Sequence, residues 1–173
     1  MKYFFTADEH YGHSNIIGYC DRPFATVEKM DEELIKRHNE VVGSEEVVFH
    51  LGDFTMKDSS EAEKYIKQLN GKPVFIKGSH DENWMEKNLF HTYNEIWEGE
   101  IENHYIVLCH YAMRIWPRSH YNSWQLYGHS HGKFAGTGKQ MDVGVDTHNF
   151  YPYSLEEIEE IMKTKKDNIN KLK

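Results

Sequence analysis

The sequence predicts an α/β fold in which a mixed sheet, or two packed sheets, is flanked by helices. In the first half of the chain, short apolar segments alternate with amphipathic stretches, and in the second half strand-like segments follow one another directly. A chain of 173 residues can bury a core of its own, and no linker, repeat or low-complexity segment divides it. We therefore predict a single domain over residues 1–173.

Six short segments have the composition of buried strands. Each is apolar, and each is bounded by Gly, Asp, Asn or His. The segments are Lys2–Thr6, Val47–Leu51, Val74–Lys77, Tyr105–Cys109, Trp124–Tyr127 and, more weakly, Met141–Val145. We also expect a hairpin between His91–Trp97 and Ile101–Cys109.

Amphipathic stretches preceded by capping residues predict the helices. The last stretch has the Ser-x-x-Glu pattern of a capping box, and it ends in a basic tail that we expect to fray. The predicted helices run from Thr26 to about Val41, from Ser59 or Ser60 to Leu69, from Met85 to Leu89, and over about 154–170.

Composition argues against several classes of protein. A net charge of −8 argues against an extended basic track for nucleic acid. No apolar segment is long enough to cross a membrane, and the amino-terminal segment turns polar too early for a secretory signal. Cys20 and Cys109 lack metal-binding spacing and are expected to be reduced thiols. We expect a cytoplasmic protein with a small-molecule partner.

Histidine and aspartate residues follow five of the predicted strands directly. The carboxyl ends of strands in an α/β sheet meet at one edge, where ligands bind. Surface histidines would have no reason to fall at these positions. The residues concerned are Asp8, His10, Asp53, Ser79, His80, Asp81, His110, His129 and His131.

The residue types and spacings indicate a metal site. Asp-x-His and His-x-His are i, i+2 pairs, whose side chains point the same way on an extended chain. Imidazole and carboxylate ligands without thiolate favour Mn, Fe, Zn or Ni over Ca or Mg. An aspartate that bridges two cations roughly 3.5–4 Å apart would hold the attacking and leaving oxygens of a phosphoryl group.

The ordered motifs resemble those of the calcineurin-like metallophosphoesterases, in particular the small single-domain bacterial and phage members. The matching segments are DEHYGHSNII, HLGDFT and LYGHSHG, and the motifs extend from Asp8 to His131, about three quarters of the chain. This resemblance implies a β-sandwich of two mixed sheets flanked by helices. It also implies a dinuclear metal-dependent phosphoester hydrolase.

The resemblance assigns a role to each strand-end residue. It implies that Asp8, His10 and His131 hold the first metal, that Asp53 bridges, and that His110 and His129 hold the second. A hydroxide bridging the metals would be the nucleophile. His80 would remain free of metal and protonate the leaving oxygen, and Asp81 would orient it.

Ser79 departs from the family pattern, which has an asparagine ligand of the second metal at this position. A serine hydroxyl is shorter and a weaker donor, so it is expected to reach the metal only through water. Loss of a supporting ligand typically lowers metal affinity or activity about 10–100-fold. The second site is therefore expected to be weakened.

Three residues near the motifs are predicted to contact substrate: His13, Asn15 and Arg114, the last through a phosphate oxygen. Aromatic residues between His110 and His129 could stack a nucleoside or could simply pack in the core. His50 is expected in the core or behind the metal ligands. The remaining histidines, His38, His91, His104 and His148, are expected on the surface.

The motifs identify the chemistry more firmly than the substrate. We favour a phosphodiesterase acting on a small or nucleotide-type substrate, with a phosphomonoesterase as the alternative. A binding scaffold with a degenerate site would be consistent with Ser79, but it would not need the complete set of other ligands. A nuclease of long nucleic acid would need a basic track, which the net charge of −8 does not favour.

Overall fold

The computed structural model describes residues 1–85 and 93–173. Its strands are β1 (Tyr3–Thr6), β2 (Val47–His50), β3 (Lys72–Ile76), β4 (Tyr93–Asn94), β5 (Ile96–Ile101), β6 (His104–Cys109), β7 (Trp124–Tyr127), β8 (Gln140–Asp142) and β9 (Tyr153–Ser154). Its α-helices are α1 (Asn15–Tyr19), α2 (Val27–Val41), α3 (Ser59–Ile66), α4 (Glu82–Met85) and α5 (Leu155–Thr164). Short 3₁₀ turns lie at Ser119–Tyr121 and Val145–Thr147.

The strands form two mixed sheets, as the sequence predicts. One has the order β4-β3-β2-β1-β9, in which only β9 is antiparallel to its neighbour. The other has the order β5-β6-β7-β8, in which β5 is antiparallel to β6 and the remaining pairs are parallel. A bridge between Ala7 and Gly144 links the two sheets just beyond β1 and β8. The predominance of parallel pairs directs five strand ends toward one side.

Apolar side chains on both sheets make the central core. Phe5 of β1 stacks on Phe49 of β2 at 5.3 Å between ring centroids, and Leu108 and Leu126 of the second sheet belong to the same buried cluster. A second buried cluster lies under the helices and includes Met30 and Leu34 of α2 and Ala62 and Ile66 of α3. The first sheet is therefore covered on both faces, which suits its nearly continuous apolar strands.

Most element predictions agree with the structure, but some boundaries were wrong. The weak strand Met141–Val145 is β8 at Gln140–Asp142, and the third helix ends at Ile66, short of Leu69. Asp58, not Ser59 or Ser60, caps that helix by accepting hydrogen bonds from two backbone amides. A hairpin is present, but its strands are Ile96–Ile101 and His104–Cys109, and the predicted first strand was wrong at Tyr93–Asn94, which pair with β3 in the other sheet. His91 and most of the predicted helix Met85–Leu89 lie outside the described residues.

The last helix is shorter than predicted. It begins with the predicted capping box of Ser154 and Glu157 but ends at Thr164, not near residue 170. Beyond it, the buried Asn168 donates to the carbonyls of Ser119 and Ser123. The expectation of a frayed helical tail was wrong, because these side-chain bonds hold the segment in a non-helical path. In the described part of the chain, no helix has the length and apolar character needed to cross a membrane.

Candidate metal centre

The predicted ligands meet where β1, β2, β3, β6 and β7 end. Of the six candidate ligands, His10, Asp53, His129 and His131 line a pocket of about 410 Å³, whereas Asp8 and His110 are fully buried. The other residues that line the pocket are His13, Ile16, Tyr19, Cys20, Met56, His80 and Lys133. Five ligand positions have left-handed backbone with positive φ: Asp8, His10, Asp53, His129 and His131. Residues other than glycine rarely adopt this backbone conformation, and those held in it cluster at functional sites.

Six of the ligands form two groups of three. Asp8, His10 and His131 make one group, and Asp53, His110 and His129 make the other; within each group the ligating atoms lie within 4.8 Å of one another. Asp53 lies between the groups, because its Oδ2 is 3.7 Å from His10 Nε2 and 3.3 Å from His110 Nε2. The arrangement can hold two cations side by side.

Unpartnered buried nitrogens indicate that the groups fit metal ions. His110 Nδ1 donates to the carbonyl of Leu51 at 2.8 Å, so in the neutral ring the Nε2 lone pair faces the Asp53 carboxylate. Among the described residues, neither ring nitrogen of the buried His10 has a hydrogen-bond partner, nor does His110 Nε2. Buried polar atoms rarely remain unpaired, and a divalent cation between these acceptors would satisfy them.

The pKa values of the two ligand groups in the metal-free protein also favour the binding of cations. Burial raises the pKa of Asp8 to about 7 and lowers the pKa of His10 to about 3. Burial alone would raise the pKa of Asp53, but the charge of the adjacent His110 outweighs it and holds that pKa well below its ordinary value. Burial would likewise lower the pKa of His110, yet Asp53 raises it to about 9. In the metal-free protein, His110 thus holds a proton at the position where a metal ion would bind.

The loop after β3 carries Ser79, His80 and Asp81. The hydroxyl of Ser79 donates to both oxygens of Asp53, at 3.2 and 3.0 Å. His80 belongs to neither ligand group; its side chain is 42% exposed, and its Nε2 is 4.0 Å from Asp53 Oδ2. Its backbone amide donates to Asp53 Oδ1 at 2.8 Å. The loop is therefore fastened to Asp53 while the imidazole of His80 faces the pocket.

Asp81 has a different role from the predicted one of orienting His80. It is fully buried, and its carboxylate accepts hydrogen bonds from the backbone amides of Asp53, Phe54 and Gly78 and from the indole of Trp84, at 2.7–2.9 Å. No hydrogen bond joins Asp81 to His80 in the described ranges. Asp81 holds the β2 and β3 loops together and does not enter the pocket.

The structure separates the three predicted substrate contacts. His13 lines the pocket, and its ring lies 5.5 Å from that of His10. Asn15 and Arg114 are exposed and do not line this pocket. Sequence reasoning missed Lys133 and Tyr19, which do line it. Lys133 could have been predicted from the sequence, because it comes two residues after His131 in GHSHGK.

The aromatic residues between His110 and His129 are divided between core and surface. Trp116 and Trp124 are buried, and the Trp116 indole donates to the carbonyl of Ser123. Tyr111 and Tyr121 are exposed. The Tyr111 ring packs edge-on against His129 at 4.8 Å between centroids. Tyr111 therefore contacts a candidate ligand but does not line the ligand pocket.

Several histidines outside the pocket are internal. His50 is buried as predicted and donates to Glu9 at 2.8 Å. The surface assignment of His38 was wrong: it is buried, stacks on His50 and donates to the carbonyl of Asn70. His104 and His148 are half-buried and stack on Trp124 and Tyr153, each at 3.9 Å. His91 lies outside the described residues.

Comparison with known proteins gives the chain a family. No family model matches it. It is 32% identical over 164 residues to the uncharacterized protein MJ1445 of Methanocaldococcus jannaschii, and the match covers 90% of this chain and 88% of the archaeal protein. The chain belongs to the family of MJ1445.

Two solved structures are also similar. AQ665 of Aquifex aeolicus, a protein of unknown function, has a TM-score of 0.74 at 22% identity, and the match covers 92% of this chain and 98% of that one. An archaeal phosphodiesterase has a TM-score of 0.48 at 16% identity, covering 90% of this chain and 99% of that one. The first shows a shared fold, and the second is too loose a match to assign an activity.

Proposed function

We propose that the chain is a dinuclear metal-dependent phosphoester hydrolase, more active on diesters of small or nucleotide-type substrates than on monoesters. The observation that carries the proposal is the pair of adjacent three-residue ligand groups that share one open pocket. Two cations held side by side suit the in-line displacement of a phosphoryl ester.

Each of the two ligand groups would bind one cation. Asp8, His10 and His131 would hold the first and His110 and His129 the second, with Asp53 between them. Once bound, the cations would lower the pKa of a water molecule and offset the charge of the phosphoryl group. Neither group contains a thiolate, so Mn²⁺ is favoured, with Fe²⁺, Zn²⁺ or Ni²⁺ as alternatives.

His80 is proposed as the acid that protonates the leaving oxygen. It lines the pocket, it belongs to neither ligand group, and its imidazole is exposed enough to meet substrate. The contact between its backbone amide and Asp53 fixes its position relative to both groups. A diester is favoured because Tyr19, Met56 and Lys133 extend the pocket wall beyond the ligands, where a second esterified group would lie.

The test combines metal analysis with an ester panel. Purified protein is expected to bind two equivalents of Mn²⁺ and to hydrolyse bis-p-nitrophenyl phosphate faster than p-nitrophenyl phosphate. His80→Ala is expected to lower kcat about 10²–10⁴-fold while metal content stays at two. His104→Ala is the matched control, since His104 lies at the opposite end of β6 from His110.

Three outcomes would contradict parts of the proposal. Hydrolysis of neither ester with any divalent cation, despite bound metal, would favour the binding scaffold. Faster hydrolysis of the monoester would favour a phosphomonoesterase. Full activity in His80→Ala would remove His80 from the mechanism.

A further inference from the structure

A buried arginine joins the two halves of the first ligand group. Arg22 is nearly inaccessible to solvent, and its guanidinium donates to the carbonyl of Asp8 at 2.7 Å and to that of Glu9 at 2.9 Å. It also makes two hydrogen bonds, each 2.8 Å, to the Asp146 carboxylate, 124 residues away in sequence. Asp146 in turn accepts from His131 Nδ1 at 2.7 Å. Arg22 thus holds the loop that carries Asp8 and His10 directly, and it reaches His131 through Asp146.

We propose that Arg22 and Asp146 are positioning residues that set the geometry and the metal affinity of the first ligand group. The inference rests on the metal centre proposed above. Neither residue had a predicted role, and neither is itself a member of that ligand group.

Asp146 fixes the protonation pattern of His131. A carboxylate accepts hydrogen bonds, so at 2.7 Å the Nδ1 of His131 carries the proton and Nε2 is left as the lone pair for a metal. The same bond fixes the orientation of the ring. A histidine–carboxylate pair of this kind is a common support behind a metal ligand, and it makes the imidazole a stronger donor.

Arg22 fixes the loop that carries the other two ligands. Asp8 and His10 have φ values of 60° and 55°, a conformation that costs energy for residues other than glycine. The guanidinium bonds to the carbonyls of Asp8 and Glu9 hold the peptide units between those two positions. Without them, the loop is free to relax and to move both ligands away from His131.

A cation bound directly to Asp146 is disfavoured. The ligating atoms of Cys20, His131 and Asp146 also lie within 4.8 Å of one another. However, Arg22 already donates to both oxygens of Asp146, so a metal there would displace a buried ion pair or lie beside a guanidinium. The Asp146 carboxylate therefore supports His131 and does not coordinate a metal ion.

The support behind the second ligand group is of a different kind. His110 Nδ1 donates to a backbone carbonyl, that of Leu51, and no side-chain carboxylate supports His110 from behind in the part of the chain that the structure describes. A change at Arg22 or Asp146 is therefore expected to weaken the first metal site more than the second, to which it is linked through Asp53 and through the hydrogen bond from the His129 amide to Asp8. This asymmetry makes the inference testable site by site.

Titration with Co²⁺ provides that test, because its visible absorption reports the ligand geometry of each bound ion. Wild-type protein is expected to bind two equivalents. Asp146→Asn and Arg22→Met are expected to lower the affinity of one equivalent about 10–100-fold and to shift its absorption band, while the affinity of the other equivalent changes less. Calorimetric titration gives the two affinities independently.

Arg37→Met is the matched control. Arg37 contacts the ring of Phe150 much as Arg22 does, at 5.6 Å against 5.8 Å, but its ion pair is with Glu33, away from the ligands. Unchanged Co²⁺ binding is expected for this variant. Thermal unfolding of each metal-free variant shows how much of any effect is a loss of stability.

The outcomes separate the inference from the proposed function. If the wild type binds two Co²⁺ and Asp146→Asn keeps both affinities and both bands, the positioning role is overturned although the metal centre stands. If the wild type binds no Co²⁺, the metal centre itself fails. If Arg22→Met does not fold, Asp146→Asn decides, because the amide has the same size as the carboxylate.

Discussion

Replacing Asp81 by asparagine should destabilise the protein far more than an ordinary surface change. The Asp81 carboxylate is buried and receives four short hydrogen bonds of 2.7–2.9 Å, two at each oxygen, with a fifth and longer one of 3.4 Å from the Thr55 amide to Oδ1. The amides of Asp53 and Gly78 donate to Oδ2, and the Phe54 amide and the Trp84 indole donate to Oδ1. An asparagine carbonyl can replace one of these oxygens but not both.

The magnitude follows from the donors left unpaired. In either orientation of the introduced side-chain amide, its NH₂ group faces two buried N–H donors. Each buried donor without an acceptor costs about 1–3 kcal/mol, so the free energy of unfolding should fall by about 3 kcal/mol. Domains of this kind are stable by about 5–15 kcal/mol in total, so the loss would be large but the variant should still fold.

Urea unfolding followed by circular dichroism measures the effect. Asp58→Asn is the matched control, because Asp58 also accepts from two backbone amides, but on the exposed first turn of α3. Asparagine caps helices as well as aspartate does, so this variant should differ from wild type by a few tenths of a kcal/mol. A change below about 1 kcal/mol in Asp81→Asn, with an unchanged m-value, would refute the anchoring role.

Three further predictions concern the second metal, the carboxyl-terminal segment and pH. Ser79→Asn should raise second-metal affinity or turnover by about 10–100-fold, and unchanged Co²⁺ titration and kcat would show serine to be an adequate substitute. Asn168→Ala should lower the free energy of unfolding by about 2–4 kcal/mol, since it removes the hydrogen bonds to the carbonyls of Ser119 and Ser123 and leaves the Lys139 amide without its acceptor; urea unfolding within about 1 kcal/mol of wild type would contradict this. The pKa of His110 is raised to about 9, so the stability it confers on the metal-free protein is present below about pH 6.5 and lost as pH rises through 9. Added Mn²⁺ should instead stabilise more as pH rises; thermal unfolding across about pH 6.5–9 checks both trends, and a metal-free midpoint that rises would exclude His110 as the dominant group.

The ligand positions could be predicted because the ends of buried strands can be recognised in the sequence. Buried strands are short apolar segments, and the residues that follow them lie at one edge of a parallel sheet. Asp8, Asp53 and His110 follow β1, β2 and β6 closely, as the pattern required. The two groups assigned to the metals, Asp8, His10 and His131 and Asp53, His110 and His129, consist entirely of residues that the sequence singled out.

The supporting residues could not be predicted in the same way. Arg22 and Asp146 are 124 residues apart, and Arg22 follows no predicted strand. Asp146 does come directly after the weakly predicted strand Met141–Val145, but the sequence does not show that its carboxylate pairs with Arg22. Asp81 was read as a catalytic partner because it follows His80 directly, yet its contacts are with the backbone of another loop. Adjacency in sequence says little about side-chain direction in an irregular turn. For the same reason Asn15 and Arg114, close to ligands in sequence, do not line the pocket.

Buried carboxylates explain how so strained a set of loops is held. Asp31 accepts from the amide of Gly12 beside the first ligand loop, Asp81 holds the β2 and β3 loops, and Asp142 accepts from the amide of Gly132 next to His131. Each left-handed residue costs roughly 1–2 kcal/mol, whereas a hydrogen bond to a charged group contributes about 1.5–3 kcal/mol. The anchors can therefore offset the strain of the ligand loops without any contribution from metal. The acidic residues of this chain therefore serve two separable purposes. Those at the metal centre are candidate ligands, and those behind it hold the backbone of the ligand loops in place.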